Sequence, residues 1–234
     1  MNRLQSTIAI FIAFACLFPF LVQGKEESIS PESISVERKL LPVDEANQNP
    51  DFKAFRDSLL AAIERKDLGF LLDHVDDEIG VSFGADHGKK DFIRFWKLDE
   101  NPGESRIWAK LKEVLRLGGT FRDEEKTSFT APYIFTRFPR DFDPFQGYSA
   151  ITDSVVYLRA EPDSSSAVLN ALRYSIVKMI SEPWMGEDSW RKIETLSGIK
   201  GYVEGRNVRN LLDLRANFTR KSGKWKMTFF IAGD

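Results

Sequence analysis

The carboxyl-terminal ribbon constrains the fold of this chain more than any other stretch. Leu214, Ala216 and Phe218 alternate with polar residues up to Arg220, Ser222-Gly223 turns the chain, and Trp225, Met227, Phe229 and Ile231 alternate onward. The pattern predicts a hairpin with one apolar face. An isolated hairpin is marginal in water, so other strands must lie beside it.

Residues 50–138 supply the complement. Asn49-Pro50-Asp51 offers a cap and a first-turn proline, and Phe52, Phe55, Leu59 and Ile63 then recur at helical spacing. Asp67 can cap a short helix through Leu71, and Asp76 to Phe83 reads as a strand with Ile79, Val81 and Phe83 alternating. A further helix places Phe92, Phe95 and Trp96 on one side. Ile107, Leu111, Val114 and Leu115 mark the clearest helix, stopped by Gly118-Gly119. Thr127 to Phe135 reads as extended, with Pro132 placing it at an edge or a bulge. Three helices and about two strands lack a sheet broad enough to cover them. We therefore expect residues 50–138 and 212–234 to form one discontinuous domain, with the intervening chain inserted in it.

Between Tyr148 and Asn210 the chain breaks into short strands without a helical stretch. Val156-Tyr157-Leu158-Arg159, the loop Ala160 to Ser166, Ala167 to Leu172, Ile176 to Ile180, Ser189 to Ile193 and Gly198-Ile199-Lys200-Gly201-Tyr202-Val203 follow in order. Together they resemble the bacterial SH3 (SH3b) family, departing from it at Glu161 and at Tyr174-Ser175, both loop positions. The resemblance implies a small all-β SH3-like barrel over 148–210, and Gly201 would let two backbones approach closely. The outer segments resemble, more weakly, the nuclear-transport-factor-2-like (cystatin-like) cone, a curved antiparallel sheet wrapped around helices. The expected fold class is thus α+β: a curved antiparallel sheet with packed helices, interrupted by an SH3-like barrel.

Arg3, an apolar run from Ile8 to Val22 and Val22-Gln23-Gly24 lay out a secretory signal peptide over residues 1–24. The run is short for a membrane span, which needs about 20 residues; the alternatives are a retained anchor or an acylated Cys16. Cleavage after Gly24 leaves no thiol, hence no disulfide, cysteine-bound metal or cysteine nucleophile. Residues 25–49, rich in Glu, Ser, Asn and Pro, read as a flexible leader. Export places the protein in the periplasm or outside the cell, with no stable membrane insertion after cleavage.

The formal charge of -2 and the absence of a polybasic block argue against nucleic acid as a partner. Within 148–210, eight basic residues balance eight acidic ones. Serine-nucleophile, phosphate-loop, zinc-protease and dinucleotide motifs are missing, so no catalytic residue, metal or cofactor is expected. His74, among Asp73, Asp76, Asp77 and Glu78, and His87, beside Asp86, are candidates for a cone pocket. For His74 the plainer reading is a solvated charge run, and for His87 a turn residue. Tyr157, Trp184, Trp190 and Tyr202 are the ligand-binding candidates, with core packing as the alternative for Trp190 and Tyr202 and docking on the outer domain for Trp184. The resemblance to bacterial SH3 domains implies contact with a cell-wall peptide. The reading is therefore a non-enzymatic binding protein of the cell envelope, partnered by a peptidoglycan peptide or an envelope protein. Its rivals are a small ligand or simple acid/base chemistry in a cone pocket, and a purely structural scaffold.

Overall fold

The computed structural model describes residues 37–84, 86–180 and 189–233. The signal segment and residues 25–36 of the leader therefore lie outside the described residues, as does Trp184. No helix among the described residues is long and apolar enough to cross a membrane.

The fold is mixed α+β. Helix α1 (Pro50–Arg65) begins where expected, with the Asn49 side chain accepting from the Phe52 N–H at 3.1 Å. Asp67 likewise caps α2 (Leu68–His74), accepting from Phe70 N–H at 3.0 Å. Strand β1 (Val75–Gly80) leads to α3 (Lys89–Phe95) and α4 (Ile107–Arg116). Then come β2 (Thr120–Phe121), β3 (Ser128–Ala131) and α5 (Tyr133–Arg137). Seven short strands follow: β4 (Tyr148–Ile151), β5 (Val156–Arg159), β6 (Val168–Leu172), β7 (Ile176–Met179), β8 (Trp190–Thr195), β9 (Lys200–Glu204) and β10 (Val208–Asn210). The chain closes with β11 (Arg215–Lys221) and β12 (Lys224–Ile231).

The terminal hairpin lies in a five-stranded sheet of order β1-β12-β11-β3-β2. One face of that sheet packs on the helices. Phe52 from α1 meets Phe129 from β3 at 4.2 Å, Trp225 from β12 at 4.8 Å and Phe218 from β11 at 6.0 Å between ring centres. Ile107, Leu111, Val114 and Leu115 of α4 are buried in the same cluster. These side chains pack into one buried cluster between helices and sheet. On the opposite face Asn217 ties three strands together: it accepts from Thr130 at 2.7 Å and donates to Thr228 at 2.9 Å and Thr219 at 3.1 Å.

The second sheet has seven strands in the order β10-β4-β7-β8-β9-β5-β6. Every strand sends at least one side chain into a single core: Ile151, Val156 and Leu158, Leu172, Val177, Ile193, Val203 and Val208.

Several sequence expectations are corrected. The five-stranded sheet is not wholly antiparallel, because β1 pairs with β12 in parallel. The extended stretch expected over 127–135 ends at Ala131 and turns into α5, so Pro132 falls beyond a strand that is internal to the sheet, not at its edge. Phe95 is exposed while Phe92 and Trp96 are buried, since one residue of helix rotates a side chain by about 100° away from its neighbour. Phe83 lies beyond β1 and is exposed. In β12 the alternation slips: Asn217 faces Phe229 but Phe218 faces Met227, leaving Thr228 as a bulge. Phe230, not Phe229, is therefore the fully buried ring, and it stacks on Trp96 at 5.0 Å.

Residues 37–49, expected within the flexible leader, are docked against both sheets. Leu40 N–H donates to Tyr174 O at 2.8 Å, and Ile176 N–H donates to Arg38 O at 2.7 Å. Further along, Glu45 N–H donates to Gly119 O at 2.9 Å, and the Glu45 carboxylate accepts from Phe121 N–H at 2.9 Å and pairs with Arg137 at 2.9 Å. Leu40 is buried with Tyr133, Ile134, Phe138, Ala150 and Ile176, a cluster that joins this strap to α5, β4 and β7.

Candidate functional site

Three of the four aromatic candidates are brought to one face by strand register. Tyr157 stands between Val156 and Leu158 on β5; those two point into the core, so Tyr157 and Arg159 point out. Arg159 lies opposite Tyr202 of β9, Tyr202 opposite Lys192 of β8, and Trp190 opposite Glu204. Trp190, Lys192, Tyr202, Arg159 and Tyr157 therefore share the outer surface of three neighbouring strands, β8-β9-β5. Two strand spacings make this surface about 10 Å wide, the breadth of a short peptide.

The rings are not core residues. Tyr157 is 51% exposed, and Trp190 and Tyr202 are half-buried. Cations lie close to them: the Arg159 guanidinium is 5.7 Å from the Tyr157 ring centre and the Lys192 ammonium 5.6 Å from that of Tyr202. Arg159 is also held from behind, donating to Ser166 O at 2.6 Å in the Ala160–Ser166 loop. Such a surface offers stacking and charge-assisted hydrogen bonds to an extended chain that carries carboxylates.

The histidines do not converge. His74 closes α2 and His87 pairs with Gly80 at the far end of β1, so a six-residue strand, about 20 Å, separates them. His87 is exposed, and its backbone N–H donates to the Asp91 carboxylate at 3.2 Å, the arrangement of a turn residue. His74 is half-buried and stacks on Phe70 at 4.3 Å, with Nδ1 donating to Phe70 O at 2.9 Å. It lines a cleft of about 590 Å³ between α1, α2 and β12. The acids near it are dispersed by strand alternation: Asp76 is buried against Lys221 at 2.8 Å, while Asp77 and Glu78 are exposed. No group of three His, Cys, Asp or Glu among the described residues could hold a metal ion.

Comparison with known proteins finds no match. No family model, no curated protein and no solved structure matches this chain. Function must be read from its own side chains.

A charged junction escaped the sequence reading. Arg209 of β10 is 7% exposed, pairs with Glu113 of α4 and donates to Leu214 O at 2.6 Å. Glu113 and Arg209 are 96 residues apart, and no local pattern links them. Beside them, burial pushes the Asp213 carboxyl above its ordinary range; Arg209, the Asn210 N–H and Arg191 oppose that rise and Glu113 adds to it. The folded chain thus holds the Asp213 proton more tightly than the unfolded chain, so this group's contribution to stability falls as pH rises from the unfolded to the folded pKa. Asp213→Asn should raise the melting temperature near neutral pH, and the gain should shrink as the pH falls below the ordinary aspartate range, where the acid is as neutral as the amide. A variant less stable than wild type at both pH values would show instead that Arg209 needs the carboxylate.

Proposed function

We propose that this chain is an exported, non-enzymatic binding protein of the cell envelope. In this reading the seven-stranded sheet is an SH3-like barrel inserted in the outer domain, and its outer face contacts a cell-wall peptide or an envelope protein. One observation carries the proposal: Tyr157, Trp190 and Tyr202, distant in sequence, share an unburied face with Arg159 and Lys192. Proteins normally bury such rings, and aromatic side chains left on a surface beside cations are the composition of a binding patch. Further support comes from the sequence pieces that resemble the bacterial SH3 family, which fall on β5, β6, β7, β8 and β9 in order. Peptidoglycan peptides suit the patch, being short, extended and rich in carboxylates that Arg159 and Lys192 can bind.

The test is sedimentation with purified cell wall. Wild-type protein should be retained, and Tyr157→Ala/Tyr202→Ala should lose most of that retention with an unchanged melting temperature, because neither ring is core. Trp184→Ala, a change outside the described residues, extends the test to the segment that follows β7 in sequence. Failure of wild type to bind, or equal binding by the double variant, would overturn the reading.

A further inference from the structure

The cleft beside His74 has a chemistry distinct from that of the sheet face. Its walls are rings: Phe55 from α1, Phe70 and His74 from α2, and Trp225 from β12. Its rim carries Lys224 and Lys226. Neither lysine belongs to an ion pair among the described residues; Lys226 instead donates to the backbone oxygen of Asp73. Asp73 also lines the cleft, so its lining residues carry one net positive charge.

Two polar groups of the wall residues have no hydrogen-bond partner among the described residues. The carbonyl of Phe70 can only accept, so the bond it makes fixes the proton of His74 on Nδ1 and leaves Nε2 as an acceptor. Trp225 is 5% exposed, and its buried indole N–H has no acceptor among the described residues. Few native donors are left so.

We propose that this cleft binds a planar, ring-bearing monocarboxylate. The ring lies among Phe55, Phe70 and His74, where offset or edge contacts between rings are favourable. The carboxylate is held by Lys224 and Lys226, and a ligand hydroxyl donates to His74 Nε2. A single net positive charge matches a monoanion better than a phosphate ester, which carries nearly two charges at neutral pH. The cleft volume, about 590 Å³, lies within the size range of small-molecule sites.

The probe is 4-hydroxybenzoate, compared with uncharged 4-hydroxybenzamide, by titration calorimetry and by NMR of the histidine ring protons in the intact protein. The acid should bind more tightly than the amide and shift the His74 resonances but not those of His87. Lys224→Gln/Lys226→Gln should weaken the acid about a hundredfold, the loss of two charge-assisted contacts at about tenfold each, and leave the amide unchanged. Phe70→Ala should weaken both. Equal affinity for acid and amide, an unaffected lysine variant, shifts confined to His87, or no binding would each overturn the proposal. The proposal does not rest on the sheet face: Tyr157→Ala/Tyr202→Ala should bind the probe as wild type does, so the two readings fail separately.

Discussion

Phe52→Ala should destabilise the protein by about 3–5 kcal/mol, a large fraction of the roughly 5–15 kcal/mol that holds a typical protein folded. Phe52 is fully buried and touches five other rings: Phe55, Phe121, Phe129, Phe218 and Trp225. These rings come from α1, β2, β3, β11 and β12, so one side chain joins the first helix to four strands of the five-stranded sheet. Truncation leaves a cavity that cannot close, because its walls are stiff rings anchored on separate elements. Phe55→Ala, one turn along on a half-buried position, should cost visibly less. Urea unfolding of both variants measures this. A Phe52→Ala cost of about 1 kcal/mol or lower would mean that the cluster repacks and does not set the fold.

The same residue shows which parts of the fold were legible in the sequence. The placement of α1 rests on local chemistry: Asn49 accepts from a first-turn N–H, Pro50 has the right φ for that turn, and Phe52, Leu59 and Ile63 repeat at helical spacing. Signals of this kind act over a few residues and survive into the structure. The hairpin was legible for the same reason, but its bulge was not. Thr228 drops out of register because Asn217, on the partner strand, bonds to hydroxyls on both of its neighbouring strands, and nothing within β12 announces that. The strap from residue 37 to 49 was misread because its composition is that of a loose segment. Its order comes from backbone bonds to Tyr174, Ile176 and Gly119, partners that only the folded chain supplies.

The candidate sites divide along the same line. Tyr157 and Tyr202 were legible as ring positions on strands, and alternation alone gives each a face. That the faces coincide depends on the register of β5 with β9 and of β9 with β8. His74 and His87 were each legible as pocket candidates from the acids beside them; a strand is straight, and it carries the two apart. Phe70, Lys224 and Trp225 drew no attention as site residues, since a pocket wall built from a helix and the last strand leaves no spacing to find.

Gly201→Ala should separate the two strands that carry the sheet-face site. A β-carbon at Gly201 would stand 2.6 Å from the backbone oxygen of Arg159 and 2.9 Å from Leu158 Cγ. A side-chain tip can swing aside, but a strand oxygen moves only with its strand. The methyl group must therefore push β5 from β9, and with β5 go Tyr157 and Arg159. Overpacking of this kind costs about 1–3 kcal/mol, and the loss of Leu158 contacts in the core adds to it. Gly198→Ala separates space from backbone. Gly198 has φ +85° with nothing within 4 Å of a β-carbon, so alanine there meets conformational strain alone. Its cost should be about 1–2 kcal/mol, with β5 and β9 still paired and binding to cell wall retained. Gly201→Ala should instead lose both stability and binding. Amide exchange along β5 and β9 reads the difference directly: protection falls in the Gly201 variant and persists in the Gly198 variant. Were Gly201→Ala to keep full protection and full retention on cell wall, the close approach of β5 to β9 would not be what aligns Tyr157 with Tyr202, and the shared face would lose its structural basis.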